Sequence, residues 1–487
     1  MGDMLLLVNL DNPASRAVAR KLRGEGYFCL LVSPEDFAQQ PVPEEARGLV
    51  LCGGSTGTPG GLAEADPYIS AGLPLLAFGD AALALCQRLG GSIVSLGETA
   101  RSVRVSYSQQ EGLLEGIEEG DRYLTHPVCV NLPENARPVA WTSEGGVIGF
   151  AMNSAPVYGF AFQVESNDPE GVGLLRAFAG KTCGCSAWWN YDAFIDRAID
   201  AIRGAAEGGE GICAISGGVD SAVCAALGTL ALGDKMHCVF VDTGLLREGE
   251  ADDIMVTLGK EANLQIRRID AREDFLEALR DVRDPGEKEK IIYSRLRAHL
   301  RHEVSGMPEV RLILQGTNYS DVFGSGLNLR TELTGARVRL LEPVRSLFKD
   351  EIRKVAQALR LPDSVCRRQP FPSSGLALRL YPTVTEERLG WLATADRIVR
   401  EEIEGPGLSR KLWQYYASLY ENPIDPAGGM IVTVRAVQAQ ERGAVAARLP
   451  NDVLERITER VMAEIPAVIR VYYDMTPSRT YNRMEWS

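Results

Sequence analysis

Six residues near the middle of the chain, Ser216-Gly217-Gly218-Val219-Asp220-Ser221, constrain its fold more than any other segment. An apolar run of β character, Gly211-Ile212-Cys213-Ala214-Ile215, precedes them, and a helical pattern, Ala222-Val223-Cys224-Ala225-Ala226-Leu227-Gly228, follows. Strand, glycine turn and helix start in direct succession point to an α/β unit. The same succession makes a cradle for phosphate. Two glycines let the backbone approach an anion, and the unpaired N–H groups of a helix N-terminus face it with the positive end of the dipole. Ser216 and Ser221 add hydroxyl donors, and Asp220 is placed to organise a metal ion or to cap the helix. The segment lacks the Lys of the Gly-x-x-x-x-Gly-Lys-Ser/Thr pattern, so it is not a Walker loop. A capped βα turn without a ligand uses the same residues, and the spacing alone leaves both readings open.

A chain of 487 residues exceeds what one core supports, so two or three domains are expected. The net charge of −13, with no basic tract, argues against nucleic acid as a partner. No apolar run reaches membrane-spanning length, and Met1-Gly2-Asp3-Met4-Leu5 opens into a strand-like segment without a basic leader. A cytoplasmic protein without membrane contact is the expectation. The ten cysteines are scattered, several inside apolar runs (Cys29, Cys224, Cys238), which predicts reduced core thiols. Cys183-x-Cys185 is too short and isolated for a zinc site.

The first segment alternates strands (Met4 to Asn9, Phe28 to Val32, Gly48 to Cys52, Leu73 to Phe78) with helices (Asn12 to Glu25, and one ending at Leu89). Such alternation predicts a parallel sheet covered on both faces. From about Arg101 to Phe162 short strands and turns predict an antiparallel extension, and Trp188 to Arg203 a helix. From Gly211 the alternation returns: strands at His237 to Asp242, Gln265 to Asp270 and Arg311 to Gln315, helices at Gly249 to Glu261 and Phe275 to Glu303. This is a second doubly wound sheet with the cradle at the carboxyl end of its first strand. After Pro372 a helix-rich piece (Glu386 to Tyr420), a strand (Met430 to Ala436), a helix (Asn451 to Ile465) and a strand (Val468 to Asp474) predict a small α+β domain.

The cradle has companions. Ser216 to Ser221, followed by Cys238-Val239-Phe240-Val241-Asp242-Thr243-Gly244-Leu245-Leu246-Arg247, resembles the ATP-pyrophosphatase domain of the GMP synthase family. So do Leu314-Gln315-Gly316-Thr317-Asn318-Tyr319-Ser320-Asp321-Val322, Leu341-Glu342-Pro343-Val344 with Phe348-Lys349-Asp350-Glu351-Ile352-Arg353, Pro370-Phe371-Pro372, and the terminal Glu485-Trp486. The segments come in the family's order and span nearly the whole chain. The resemblance implies a class I glutamine amidotransferase-like domain (1–182), an ATP-pyrophosphatase domain (183–375) and a C-terminal dimerisation and acceptor-binding domain (376–487). The implied reaction adenylates the 2-oxygen of xanthosine monophosphate with ATP and Mg2+, releases pyrophosphate, and lets ammonia displace AMP in purine biosynthesis. By the same resemblance Ser216, Gly217, Gly218, Val219, Asp220, Ser221, Asp242, Gln315 and Gly316 bind ATP, and Ser216, Asp220 and Ser221 are catalytic, Asp220 with Mg2+. Tyr319, Asp321, Arg379, Arg479 and Glu485 lie at the acceptor, and a homodimer is expected.

The chain also departs from the family. The nucleophilic Cys position, after Gly72-Leu73-Pro74-Leu75-Leu76-Ala77-Phe78, holds Gly79, and the His position holds Gln163; of the triad only Glu165 is kept. Without a thiolate and a paired base no glutamyl thioester forms, so glutaminase activity is expected to be absent. Cys86 is read as a core thiol, Cys52 lies at a different strand end with no His nearby in sequence, and His126 is read as a surface loop residue. A separate ammonia donor is one way to replace the loss. In the synthetase half the family's Lys-Ser-His-His-Asn-like lid is missing, and Gly326 to Arg339 is shorter, with Arg330, Arg337 and Arg339. Ser373-Ser374-Gly375 replaces Gly-Pro-Gly, and Arg479 with Thr480-Tyr481 replaces Lys-Pro-Pro. Three readings remain open: an ammonia-using GMP synthase, a related ligase with another acceptor or nucleophile, and a nucleotide-binding pseudoenzyme.

Overall fold

The computed structural model describes residues 2–10, 12–34, 41–53, 70, 72–95, 101–109, 112–124, 126, 128–164, 169–322, 338–369, 371, 374–423, 428–440 and 443–476. Glu165, Arg330, Arg337, Pro370, Ser373, Arg479 and Glu485 lie outside the described residues. The chain forms two compact units, Met1–Phe194 and Ile195–Ser487. The division falls inside a helix, Tyr191–Ala206.

Unit 1 holds a nine-stranded sheet. Its strands are β1 (Met4–Asn9), β2 (Cys29–Val32), β3 (Ala46–Cys52), β4 (Leu75–Phe78), β6 (Arg101–Tyr107), β7 (Gly120–Leu124), β9 (Ala136–Thr142), β10 (Val147–Met152) and β11 (Val157–Phe160). The order is β2-β1-β3-β4-β11-β10-β9-β6-β7. From β2 to β11 neighbours are parallel; beyond β11 all pairs are antiparallel, the extension expected from the short strands after Arg101. A separate antiparallel pair joins β5 (Ser92–Ser95) and β8 (Val128–Asn131). Strands β1, β3 and β4 are buried along most of their length, and β1 and β4 accordingly read as continuous apolar runs. Helices α1 (Asn12–Gly24) and α2 (Asp80–Arg88) follow β1 and β4.

Unit 2 begins with a five-stranded, all-parallel sheet of β12 (Glu210–Ile215), β13 (Met236–Asp242), β14 (Ile266–Asp270), β15 (Val310–Leu314) and β16 (Arg339–Leu341), ordered β14-β13-β12-β15-β16. The chain winds outward from β12 in both directions, so the order reverses between β12 and β15. Ligands of such sheets bind in the crevice at that reversal, outside the carboxyl ends of the strands. A second sheet combines β17 (Gln414–Glu421), β18 (Met430–Gln440), β19 (Gly443–Ala446) and β20 (Val468–Asp474). One apolar core runs from Ile212 and Val239 in the first sheet to Val432 and Val468 in the second.

Three element assignments change. The helical stretch from Phe275 to Glu303 is two helices, Arg272–Leu279 and Pro285–Ser305. Pro285 cannot continue a helix but suits its first turn, where Asp284 caps it by accepting the Glu287 N–H at 2.8 Å. Gln414 to Tyr420 belongs to a strand, as the β-favouring Tyr-Tyr-Ala-Ser-Leu-Tyr run suits when it pairs with β18. Between Gly249 and Glu261 only Glu250–Ile254 is α-helical, and Met255–Glu261 winds as a π-helix.

Candidate active site

The loop after β12 turns at Gly217, whose φ of +78° lies in the left-handed region that favours glycine. Gly218 precedes the helix Val219–Leu232 in an extended conformation. Within the loop, Ser221 Oγ donates to the Gly218 carbonyl at 3.0 Å, accepts the Ser216 N–H at 3.2 Å, and lies 3.1 Å from Ser216 Oγ. Ser221 is buried and locks the turn from beneath, while Ser216 is exposed at its rim. Val219 is buried and anchors the first turn of the helix.

The opposite wall comes from the segment after β15. A Cβ at Gly316 would lie 2.8 Å from the Ser221 nitrogen and 2.9 Å from the Asp220 carbonyl carbon, so only glycine allows the two chains this close. Gln315 Nε2 donates to Thr317 Oγ1 at 2.8 Å. Asn318 Nδ2 donates to Asp220 Oδ2 at 3.3 Å, and its Oδ1 accepts the Ser320 N–H at 2.8 Å. Lys349, at the start of the helix Lys349–Ala358, pairs with Asp220 Oδ2 at 2.5 Å.

Asp220 Oδ1 is buried and has no hydrogen-bond partner among the described residues. An unmatched buried carboxylate oxygen is costly, and a divalent cation shared with substrate phosphates satisfies it. The donor set fits Mg2+, which is held by one or two carboxylates plus phosphate oxygens rather than by a full protein cage. Among the described residues no group of three or more His, Cys, Asp or Glu gathers as such a cage. Asp321 Oδ2 accepts the Asn318 N–H at 3.0 Å. Its carboxyl is pushed up to about 6, mainly by burial; the Asn318 bond opposes this and the neighbouring Asp220 charge adds to it.

Asp242, at the end of β13, is buried. It accepts the Gly244 N–H at 3.1 Å and pairs with Arg268 at 2.6 Å, so it shapes the turn as well as bordering the crevice. Tyr319 is buried and packs edge-on against Phe348, ring centres 5.0 Å apart. Arg379 is 1% exposed and pairs with Asp396 at 3.4 Å, its guanidinium 4.2 Å from the Tyr416 ring centre. Burial lowers it to about 10, against the pull of Asp396. The structure thus brings Ser216, Gly217, Gly218, Asp220, Ser221, Gln315 and Gly316 together. It packs Tyr319 and Arg379 into the interior. Sequence reasoning assigned no role to Lys349 or to Arg368, which donates to the Gly217 carbonyl at 2.8 Å. Lys349 lies inside the family-like stretch Phe348 to Arg353, so a signal for it was present; Arg368 stands in a loop among unrelated charges.

In unit 1 the turn after β4 keeps a distinctive shape. Gly79 has φ 58° and ψ −134°, and its N–H donates to the carbonyls of Phe160 at 2.9 Å and Phe162 at 3.1 Å. A Cβ there would meet Gln163 Cγ at 3.5 Å, so Gly79 and Gln163 face each other. Cys86 is buried, and burial pushes its thiol up to about 11; His126 pairs with Asp80 at 3.0 Å. All ten cysteines are buried and none forms a disulfide with another.

A family model described as NAD synthase matches residues 200–402, and one described as GMP synthase C terminal domain matches residues 401–486. The chain is 31% identical over 514 residues to the GMP synthase (glutamine-hydrolyzing) of Caldicellulosiruptor saccharolyticus, covering 99% of each. It is 34% identical over 533 residues to that of Thermomicrobium roseum, covering 99% of this chain and 96% of the relative. A solved structure of a glutamine amidotransferase from Thermotoga maritima is 17% identical, with a TM-score of 0.31, over 38% of this chain and 99% of that one.

Proposed function

The chain belongs to the GMP synthase family, and from that premise we propose that it adenylates xanthosine monophosphate with ATP and aminates it with ammonia rather than with nitrogen from its own glutaminase. It is an ATP-dependent ligase of GMP synthase type. The observation that carries the reading is the pairing of a complete phosphate loop with a bare amidotransferase turn. Asp220, Ser216 and Ser221 stand in one crevice with Gly316 and Lys349. Gly79 and Gln163 face each other where the family places its thiol and base.

The loop N–H groups and Lys349 would hold the triphosphate, and Asp220 would hold Mg2+, which would supply positive charge to offset that growing on the leaving pyrophosphate. Ser216, at the rim, and Ser221, through the turn it locks, keep those donors aimed before substrate arrives. Asp242, Gln315 and Gly316 border the nucleoside side of the crevice. The acceptor's 2-oxygen attacks the α-phosphorus and pyrophosphate leaves. Ammonia then attacks carbon 2 of the adenylated purine, AMP departs with the oxygen, and a proton is lost from nitrogen. Gln163 cannot accept a proton near neutral pH and Gly79 has no side chain, which supports a free or externally supplied nitrogen source.

We take 1–182 as the amidotransferase-like part, 183–375 as the ATP-pyrophosphatase part and 376–487 as the part that dimerises and meets the acceptor. Arg479 and Glu485 would act there, and Tyr319 and Arg379 would support that side from within. No helix among the described residues is long and apolar enough to cross a membrane. Replacing Asp220 with Ala should lower pyrophosphate release by at least about a hundredfold, the scale of losing one preorganised electrostatic group. Release at the wild-type rate would contradict the role given to the loop.

A further inference from the structure

We propose that Arg368 and Glu250 form a positioning couple that holds the phosphate loop in its anion-receiving shape, and that ATP affinity depends on it. The inference rests on the reading of this crevice as an ATP site. It adds two residues that lie outside the loop and act on it through the Gly217 carbonyl.

The geometry is a chain of contacts. Arg368 Nη1 donates to the Gly217 carbonyl at 2.8 Å, at the one loop residue with positive φ. Its Nη2 pairs with Glu250 Oε1. Glu250 is buried, and its other oxygen accepts the Arg247 N–H at 3.0 Å. Arg247 Nε in turn pairs with Asp396 Oδ2 at 2.8 Å, deep in the helix Glu386–Glu404. Burial alone would raise the Asp396 carboxyl, but Arg247, Arg379 and Arg400 together hold it below its usual range, so it stays charged as the anchor.

The helix that supplies Glu250 also supplies Ile254. A Cβ at Gly217 would lie 2.5 Å from Ile254 Cδ1 and 2.9 Å from Arg368 Nη1. The turn is therefore clamped between an apolar side chain and a guanidinium. A peptide plane whose carbonyl is pinned is restrained from rotating, and its own N–H, that of Gly218, donates to Ser216 Oγ at 3.4 Å at the rim of the crevice. Arg suits the task because one rigid fork serves a carbonyl and a carboxylate at once. If the carbonyl were released, the plane at Gly217 could flip at little steric cost, since glycine tolerates both hands. The loop would then present a carbonyl oxygen to the phosphates instead of an N–H.

The test compares the full-length protein with Arg368→Lys, Arg368→Met, and Arg368→Met combined with Glu250→Gln. The double variant leaves no unpaired buried carboxylate, so it keeps the question open to measurement if the single Met variant fails to fold. Mg-ATP binding is measured by calorimetry, and thermal unfolding is followed alongside. Both Met variants should bind Mg-ATP about tenfold or more weakly, the worth of a hydrogen bond from a charged donor. Arg368→Lys should recover part of that loss, because its ammonium keeps a charged donor near the Gly217 carbonyl and Glu250 but lacks the fork. Wild-type affinity in the double variant, or a Lys variant as weak as the Met variants, overturns the couple. A purely structural role would lower unfolding temperature and leave the affinity of the folded protein unchanged, which also overturns it. If the wild type itself fails to bind Mg-ATP, the reading of the crevice falls, and the couple with it.

Discussion

Gly316 shows how closely this crevice is fitted at the scale of single residues. The atoms that a Cβ would strike, the Ser221 nitrogen and the Asp220 carbonyl, are backbone of the first turn of the phosphate-loop helix and cannot rotate aside. Gly316→Ala should therefore destabilise the protein by about 1–3 kcal/mol, the usual cost of overpacking. It should also weaken Mg-ATP binding by displacing the loop N–H groups; denaturant unfolding and calorimetry read the two effects separately. Unchanged affinity would mean that the two walls move independently. The loop itself was legible in the sequence because its signal is local: a strand, two glycines and a helix within a short stretch. Arg368 and Lys349 were not assigned, because an arginine or lysine in a loop reads as solvated until a partner 151 or 129 residues away is placed beside it. The reverse holds for Tyr319 and Arg379. Their motifs suggested a place at the acceptor, whereas Phe348 and Asp396, from separate elements, draw them inward.

Helix Pro285–Ser305 illustrates the same balance at the scale of elements. Its start is written locally, in Asp284 and Pro285, yet the apolar pattern on either side ran on as though the helix were continuous. What the pattern could not reveal is Lys288, fully buried on this helix and donating to the carbonyls of Leu380 and Pro382. Among the described residues no carboxylate pairs with it, and burial, with help from Arg283 and Arg388 and against Asp284, lowers it to about 8. The folded protein thus holds the ammonium less readily than the unfolded chain. That costs stability below pH 8, and the cost is relieved as the pH rises from about 8 towards the ordinary value of 10.5. A neutral amine still has two hydrogens for the two carbonyls. Relative to Lys288→Met, the wild type should gain about 2–3 kcal/mol across that window, at roughly 1.4 kcal/mol per pKa unit. Denaturant titrations of both proteins at pH 7.5 to 10.5 measure it, and parallel pH profiles would show that Lys288 does not titrate there.

Across the whole molecule, the two units present different chemistry. Unit 2 keeps a parallel sheet whose order reverses beside the loop, a complete set of loop hydroxyls, and an anchored chain of ion pairs beneath it. Unit 1 holds Gly79 at φ 58° and ψ −134° in the turn after β4, with Gln163 facing it, at the two positions that the proposed function reads as lacking a thiol and an imidazole. Glycine adopts this conformation without strain, and the Phe160 and Phe162 carbonyls on the Gly79 N–H hold it in place. The fold class was plain in the sequence, since it depends on apolar and glycine positions fixed by pattern. The wiring between segments needed the fold.

The central claim, ligation with ammonia in place of glutamine, is tested most directly by one assay with two nitrogen sources. The full-length protein is incubated with xanthosine monophosphate and Mg-ATP, with either ammonium or glutamine, and AMP, pyrophosphate, GMP and glutamate are quantified. Equal amounts of AMP, pyrophosphate and GMP should form with ammonium, and no GMP or glutamate above background with glutamine. GMP made from glutamine, or no GMP at saturating ammonium, would contradict the account.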